Sequence, residues 1–217
     1  MNSSSVSMIP VILVPQGAEY HAVSQGANAK IQVIALPAGQ AVADFLDSTS
    51  IPDHSALLVM GLCGSLSSHL RIGELAIYQS CISFSREEIF CDRALTLRLQ
   101  NHFGVAAVRG LNSDRVICSA REKQGLHEQY GADVVDMEGF AVVQRFSVAM
   151  LRVVSDDVQF DMPDLSGVIV DGKIQPVRMA KAMVKKPISA SRLIRGSLTG
   201  LKRLRQIAAD LAPVVLR

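Results

Sequence analysis

Tryptophan is absent from this 217-residue sequence, and aromatic residues make up only 5% of it. No basic stretch is interleaved with aromatics, so a base-stacking surface for nucleic acid is not expected. Although mean hydropathy is +0.27, no run of about 18 uncharged apolar residues occurs, which excludes an ordinary spanning helix. The four cysteines, Cys63, Cys81, Cys91 and Cys118, have no CxxC spacing, and no histidine lies at a ligand spacing from them. No metal site is therefore expected, and reduced thiols are the plain reading. The opening MNSSSVSMIPVILVP lacks the basic start and long apolar stretch of a signal peptide, so a cytoplasmic location is expected. Neither a P-loop nor a GxGxxG fingerprint is present.

What is there argues for a folded chain. Hydrophobic residues form 49% of the sequence and are spread throughout, which excludes intrinsic disorder. The length suits one domain around one core. The formal net charge of +2 hides a division. Lys173 to Arg217 holds eleven basic residues and one acid, a balance of +10, and the other 172 residues balance to −8. Residues 1–172 are accordingly expected to form a body, and 173–217 a basic helical extension of the same domain.

Apolar runs alternate with helical patterns. Strands are expected at Pro10–Val14, Lys30–Leu36, Ala56–Met60, Leu75–Ser83, Val105–Leu111, Val116–Cys118, Asp133–Val135 and Met150–Ser155. Several runs are continuously apolar, as in a sheet buried on both faces. Helices are expected at Gln40–Asp47, Arg93–Phe103, Ala120–Tyr130, Met137–Arg145, Val177–Lys186 and Ser189–Leu211. The alternation predicts a single α/β domain with a central mixed β-sheet flanked by helices, plus basic C-terminal helices. In the last helix Leu193, Ile194, Leu198, Leu201, Leu204, Ile207, Ala208 and Leu211 make one broad apolar stripe.

Ligands of α/β sheets gather beyond the carboxyl ends of strands, and three such ends stand out. In LLVMGLCGSL, Gly61 and Gly64 follow an apolar run, as a tight turn or as a place where backbone N–H groups approach a ligand. In VVDMEGFAVVQ, Asp136, Met137 and Glu138 enter a helix, where an acid can simply cap free N–H groups. In LRVVSDD, an apolar strand ends at Ser155, Asp156 and Asp157.

In order and spacing these three segments resemble the purine nucleoside phosphorylase and methylthioadenosine/S-adenosylhomocysteine nucleosidase superfamily. MGLCGSLSSHLRIGELAIY stands where that family has TGxAGGL followed by K/R-x-G-D-V-V. VVDMEGFAVVQ and LRVVSD match its V-x-M-E-x-x-A-x-A and V-R-x-I-S-D segments, and the likeness runs from about Val11 to Asp157. The resemblance implies that Glu138 binds the ribose hydroxyls and Met137 packs on the sugar. It further implies that Asp156, positioned by Ser155, protonates the departing purine at N7. Arg152 matches an arginine near the attacking water, and Glu19 falls where the family keeps its water-activating glutamate. Val116 and Ile117, in the loop Ser113–Ser119, would contact the base, although the family's aromatic platform is missing there. Leu62 also replaces the small residue usual between the glycines.

Breaking an N-glycosidic bond builds positive charge on the ribose and negative charge on the purine, which is why such a site uses carboxylates and an acid. For Asp156 to carry a proton, burial or a neighbouring charge such as Asp157 would have to favour that form. Phosphate needs cations, and neither PQGAEYHAV nor LLVMG contains arginine, so water is the expected nucleophile, with no cofactor. Phosphorolysis, with phosphate as co-substrate and Arg71 or Arg86 reaching the site, is the alternative. A non-catalytic nucleoside-binding protein is the other. The KKP segment and Leu/Arg-rich helix resemble the hopanoid-associated nucleosidase/phosphorylase subgroup, which implies an adenosyl-lipid substrate. The tail either packs its apolar stripe on the body or contacts an anionic membrane surface. A homodimer, with the neighbouring subunit closing the sugar pocket, is expected by resemblance alone.

Overall fold

Strand β1 (Ile9–Pro15) carries the VILV run, and every residue after Ile9 is buried. The computed structural model describes residues 9–37, 39, 41–52, 54–170 and 173–216. After β1 come α1 (Ala18–Gly26), β2 (Gln32–Leu36), α2 (Ala41–Ser48), β3 (His54–Ser65), β4 (Leu75–Ile82) and β5 (Glu88–Phe90). Then follow α3 (Arg93–Phe103), β6 (Ala107–Asn112), α4 (Ala120–Tyr130), β7 (Val134–Asp136), α5 (Gly139–Val143) and β8 (Ala149–Asp156). The small hairpin β9 (Ile169–Val170) and β10 (Lys173–Ile174) precedes α6 (Pro176–Lys185), α7 (Pro187–Asp210) and α8 (Ala212–Val215).

Eight strands form one mixed sheet in the order β2-β1-β3-β7-β6-β4-β5, with β8 pairing both β3 and β4. β3 lies parallel to β1 and β8, and β8 antiparallel to β4. β4 continues parallel to β6, β6 parallel to β7, and β7 returns antiparallel to the tip of β3. These pairings close a ring of five strands. On one face Ile12, Val14, Leu58, Met60, Leu151 and Val153 pack with Leu204 and Ile207 of α7 and with Leu211 just beyond it. On the other, Val11, Leu13, Leu57, Val59 and Val154 pack with Val42 and Leu46 of α2 and with Phe140 of α5. Helices thus cover both faces, which is why the strands read as continuous apolar runs.

Helices α3 and α4 have the limits expected from the sequence, because both ends of each are signalled. The Asp92 side chain accepts from Leu95 N–H at 2.8 Å, and the Ser119 hydroxyl accepts from Glu122 N–H at 3.4 Å. Gly104 and Gly131 close them at φ of 68° and 61°. Three expectations need correction. Val116–Cys118 is a loop; its Cys118 carbonyl accepts from Met162 N–H at 2.8 Å instead of joining a ladder. Gly61 and Gly64 do not form a turn after a strand: β3 runs straight through them to Ser65. The expected helix over 137–145 is reduced to α5, because Asp136 and not Glu138 caps it, accepting from Glu138 N–H at 3.1 Å and Gly139 N–H at 2.8 Å. Gln40 and the body–tail boundary at Gly172 lie outside the described residues.

The apolar stripe of α7 is also divided. Its C-terminal half is buried, but Ile194 is 52% and Leu198 63% exposed. Between them the contact face is made by Gly196 and Gly200, which bring the helix against the Ser155 backbone and Leu62. Small residues win here because they allow the helix to approach the end of β8 closely.

Candidate active site

The carboxyl ends of β3, β7 and β8 meet where β3 changes partners. Gly61 lies opposite Arg152 and Gly64 opposite Asp156, with an irregularity between Cys63 and Gly64. At the same point Gly64 and Ser65 begin to pair with Val135 and Val134 of β7. The glycines are required by crowding. A Cβ on Gly64 would sit 2.8 Å from Asp156 Oδ2, and one on Gly61 would strike the Arg152 guanidinium and lie 2.9 Å from Glu19 Oε1.

A cavity of about 280 Å³ opens over these strand ends. Among the residues expected from sequence, Glu19, Gly64, Val116, Ile117, Met137, Glu138, Ser155 and Asp156 line it. Gly61 and Arg152 lie beneath its floor. Arg152 is wholly buried in β8, with Nε 3.3 Å from Asp136 Oδ2 and Nη2 3.7 Å from Glu138 Oε2. Its contacts are ionic: among the described residues none of its nitrogens meets hydrogen-bond geometry. Glu138 is fixed from the other side by Gly39 N–H, 3.1 Å from Oε1.

Glu19 enters from the first turn of α1, where Gly17 at φ 92° turns the chain out of β1. Its Oε1 accepts from Leu62 N–H at 2.6 Å, so a backbone group of the glycine-flanked segment does meet an anion, one from the protein itself. Burial, then the Glu138 charge, push the Glu19 carboxyl up from 4.5 to about 7, against the pull of Leu62 N–H and Arg152. Burial raises Glu138 as well, opposed by Arg152. For Arg152 burial works against the charge, but Asp136 and Glu138 outweigh it and hold the guanidinium protonated. The three acids and one arginine form one electrostatic unit.

Asp156 is built differently. The Ser155 hydroxyl lies 2.9 Å from Asp156 Oδ1 and 3.2 Å from the Cys63 carbonyl oxygen, and can donate to either. The other carboxylate oxygen, Oδ2, accepts from Lys123 Nζ, on a side chain wholly buried under α4. The charged neighbour of Asp156 is therefore a cation. Asp157, expected to supply repulsion, instead bonds its own side chain to Gln159 N–H at 3.0 Å.

The sequence reading missed Lys123, because AREKQ reads as a solvated helix start. One signal was available: Lys123 and Leu126 share a face of α4, and both are buried. The capping role offered for an acid of this segment falls to Asp136, but its part as counter-ion was missed, as was Arg115, which lines the cavity while paired to Glu122. Arg71 and Arg86, named as cations for phosphate, do not line the cavity; Arg86 stacks over Tyr130. Among the described residues no group of three or more His, Cys, Asp and Glu is arranged to hold a metal, and no helix is long and apolar enough to cross a membrane.

Removing the buried cation should be costly. Arg152→Met would leave Asp136 and Glu138 buried without their counter-charge, and should lower stability by about 3–5 kcal/mol. Urea unfolding at neutral pH measures it, and a loss within the error of the midpoint would contradict the pairing.

The ring of five strands with acids gathered at its open end is a fold shared with solved nucleosidase structures. Futalosine hydrolase of Helicobacter pylori matches 98% of this chain over 99% of its own, at a TM-score of 0.66 and 16% identity. The Helicobacter pylori methylthioadenosine/S-adenosylhomocysteine nucleosidase matches 94% over 100%, at 0.64 and 18%. Its Campylobacter jejuni counterpart matches 93% over 99%, at 0.59 and 15%. At such identities the likeness establishes the fold. No family model and no curated protein matches the sequence.

Proposed function

We propose that this protein hydrolyses the N-glycosidic bond of an adenine nucleoside and releases adenine. One observation carries the reading: a single cavity joins an acid held by a serine and a lysine to a separate cluster of three carboxylates around one arginine. The first suits a departing purine, with Asp156 giving N7 a proton. The second suits a sugar gaining positive charge, with Glu138 on the ribose hydroxyls and Glu19 taking the proton of water. Arg152 favours the anionic form of Glu138 against the effect of burial, and Met137, Val116 and Ile117 supply apolar contact to sugar and base.

Water is favoured over phosphate by the same charges. Among the described residues, the cation that lines the cavity, Arg115, is engaged by Glu122, while Glu19, Asp136 and Glu138 would repel an oxyanion. Chromatography of a methylthioadenosine reaction should show adenine and the free pentose, at a rate unchanged by phosphate. Strict phosphate dependence with a pentose 1-phosphate product would establish the phosphorylase instead. Tight binding without turnover would establish a nucleoside-binding protein.

The exposed half of α7 supports an adenosyl-lipid as substrate. With α6 it forms a groove of about 780 Å³ lined by Met183, Val184, Pro187, Ile194 and Leu198, and rimmed by Arg195 and Lys202. A second cavity shares Ser155 and Asp156 with the site and Arg195 and Thr199 with the groove. An apolar strip inside a basic rim fits an anionic bilayer surface, from which a lipid-tailed nucleoside could enter. The protein should sediment with phosphatidylglycerol-containing vesicles, less so at high salt, and Ile194→Glu with Leu198→Glu should abolish this. No sedimentation, together with a dimer that the same double variant dissociates, would mean that a second copy covers the face.

A further inference from the structure

Lys123 has its whole side chain beneath the surface, a costly place for a cation. Its Nζ donates to Asp156 Oδ2 and to the Asp157 carbonyl oxygen at 3.0 Å, and lies 3.9 Å from Met162 Sδ. Packing alone does not call for a charge here: Leu126, one turn on, anchors α4 by apolar contact with Leu111, Ile117 and Val135. The ammonium instead meets the carboxylate that has to deliver a proton. It does not line the site cavity, so it acts on the reaction through Asp156 and not by touching the base.

Both oxygens of Asp156 face a donor, the Ser155 hydroxyl at Oδ1 and the Lys123 ammonium at Oδ2. A proton for the purine must reach Asp156 through one of these neighbours or from the cavity. A serine hydroxyl is far too weak an acid to give one up, whereas an ammonium is competent. The Lys123 charge also acts on the Cys118 thiol, which burial raises and which stays neutral.

We propose that Lys123 is the proton reservoir of Asp156, a role that rests on the hydrolytic reading above. As the bond from the ribose carbon to N9 breaks, its electron pair goes to the purine and N7 takes the proton of Asp156. Asp156 has drawn that proton from Lys123 Nζ, so the step ends with a carboxylate and a neutral amine. Water adds its oxygen to the ribose carbon and gives a proton to Glu19, which releases it to solvent. A solvent proton returning through Asp156 restores the ammonium, and the cycle is balanced.

Leaving-group chemistry tests this. Lys123→Arg keeps the positive charge but is too weak an acid to give up a proton, and Lys123→Met removes both. Both should slow adenine release from methylthioadenosine by about 10²–10⁴-fold in kcat, with little change in KM. Both should cleave 4-nitrophenyl β-ribofuranoside, whose leaving group departs as an anion, within a few fold of the wild type. That second activity also reports an intact fold. A Lys123→Arg variant with wild-type adenine release would overturn the relay and leave a purely electrostatic role. Should neither variant fold, a proton inventory on the wild-type kcat decides: a curved dependence on deuterium fraction is expected, and a linear one overturns the relay. Failure of the wild type to release adenine at all would instead overturn the hydrolytic reading.

Discussion

Asp156→Asn should retain the fold and lose adenine release by about 10²–10⁴-fold, the usual worth of a general acid. An amide keeps the shape of the carboxyl, and the Ser155 contact at Oδ1 can survive. It cannot pass a proton to N7, so the purine would have to leave as an anion. The substitution also leaves the buried Lys123 ammonium without its counter-charge, which should lower the thermal midpoint. Activity on a nucleoside with a better leaving group separates the two effects: the chemical defect shrinks as the leaving group improves, and the stability defect does not. Full wild-type rate in a folded Asp156→Asn protein would remove Asp156 from the mechanism.

Glu19→Gln should be comparably damaging, for a different reason. The Glu19 carboxyl can take a proton from water only when ionised, and burial beside Glu138 lifts it to about 7. Activity should therefore fall as the pH drops below about 7, by about tenfold per unit in kcat/KM once the carboxyl is mostly protonated. The sign follows from the role: protonation removes the base, so acid inactivates. In Glu19→Gln the residual rate should lose this acid limb entirely, while the hydrogen bond from Leu62 N–H to the side-chain oxygen can remain. A variant with the full acid limb intact would assign that titration to another group, with Glu138 the first to test.

Much of this architecture was legible in the residues. VILV and LRVV read as doubly buried strands because helices do cover both faces, and α3 and α4 were bounded by Asp92, Gly104, Ser119 and Gly131. Eight of the ten site residues expected from sequence line one cavity, since the strand ends that bear them converge. What stayed hidden was tertiary. Gly61 and Gly64 read as a turn, because nothing local reveals that Arg152 and Asp156 press against them from the neighbouring strand. Val116–Cys118 has the composition of a strand but pairs with no strand among the described residues. Ile194 and Leu198 lost the contact face of α7 to Gly196 and Gly200, whose closeness to β8 no apolar periodicity anticipates. Lys123 looked solvated until α4 was laid over Asp156.

The most direct test is the purified protein incubated with methylthioadenosine, with and without phosphate, with both products separated. Hydrolysis predicts adenine and free 5-methylthioribose in equal amounts, at one rate under both conditions, and no release by Asp156→Asn on the same timescale. Adenine formed only with phosphate, or an equal rate from Asp156→Asn, would contradict it.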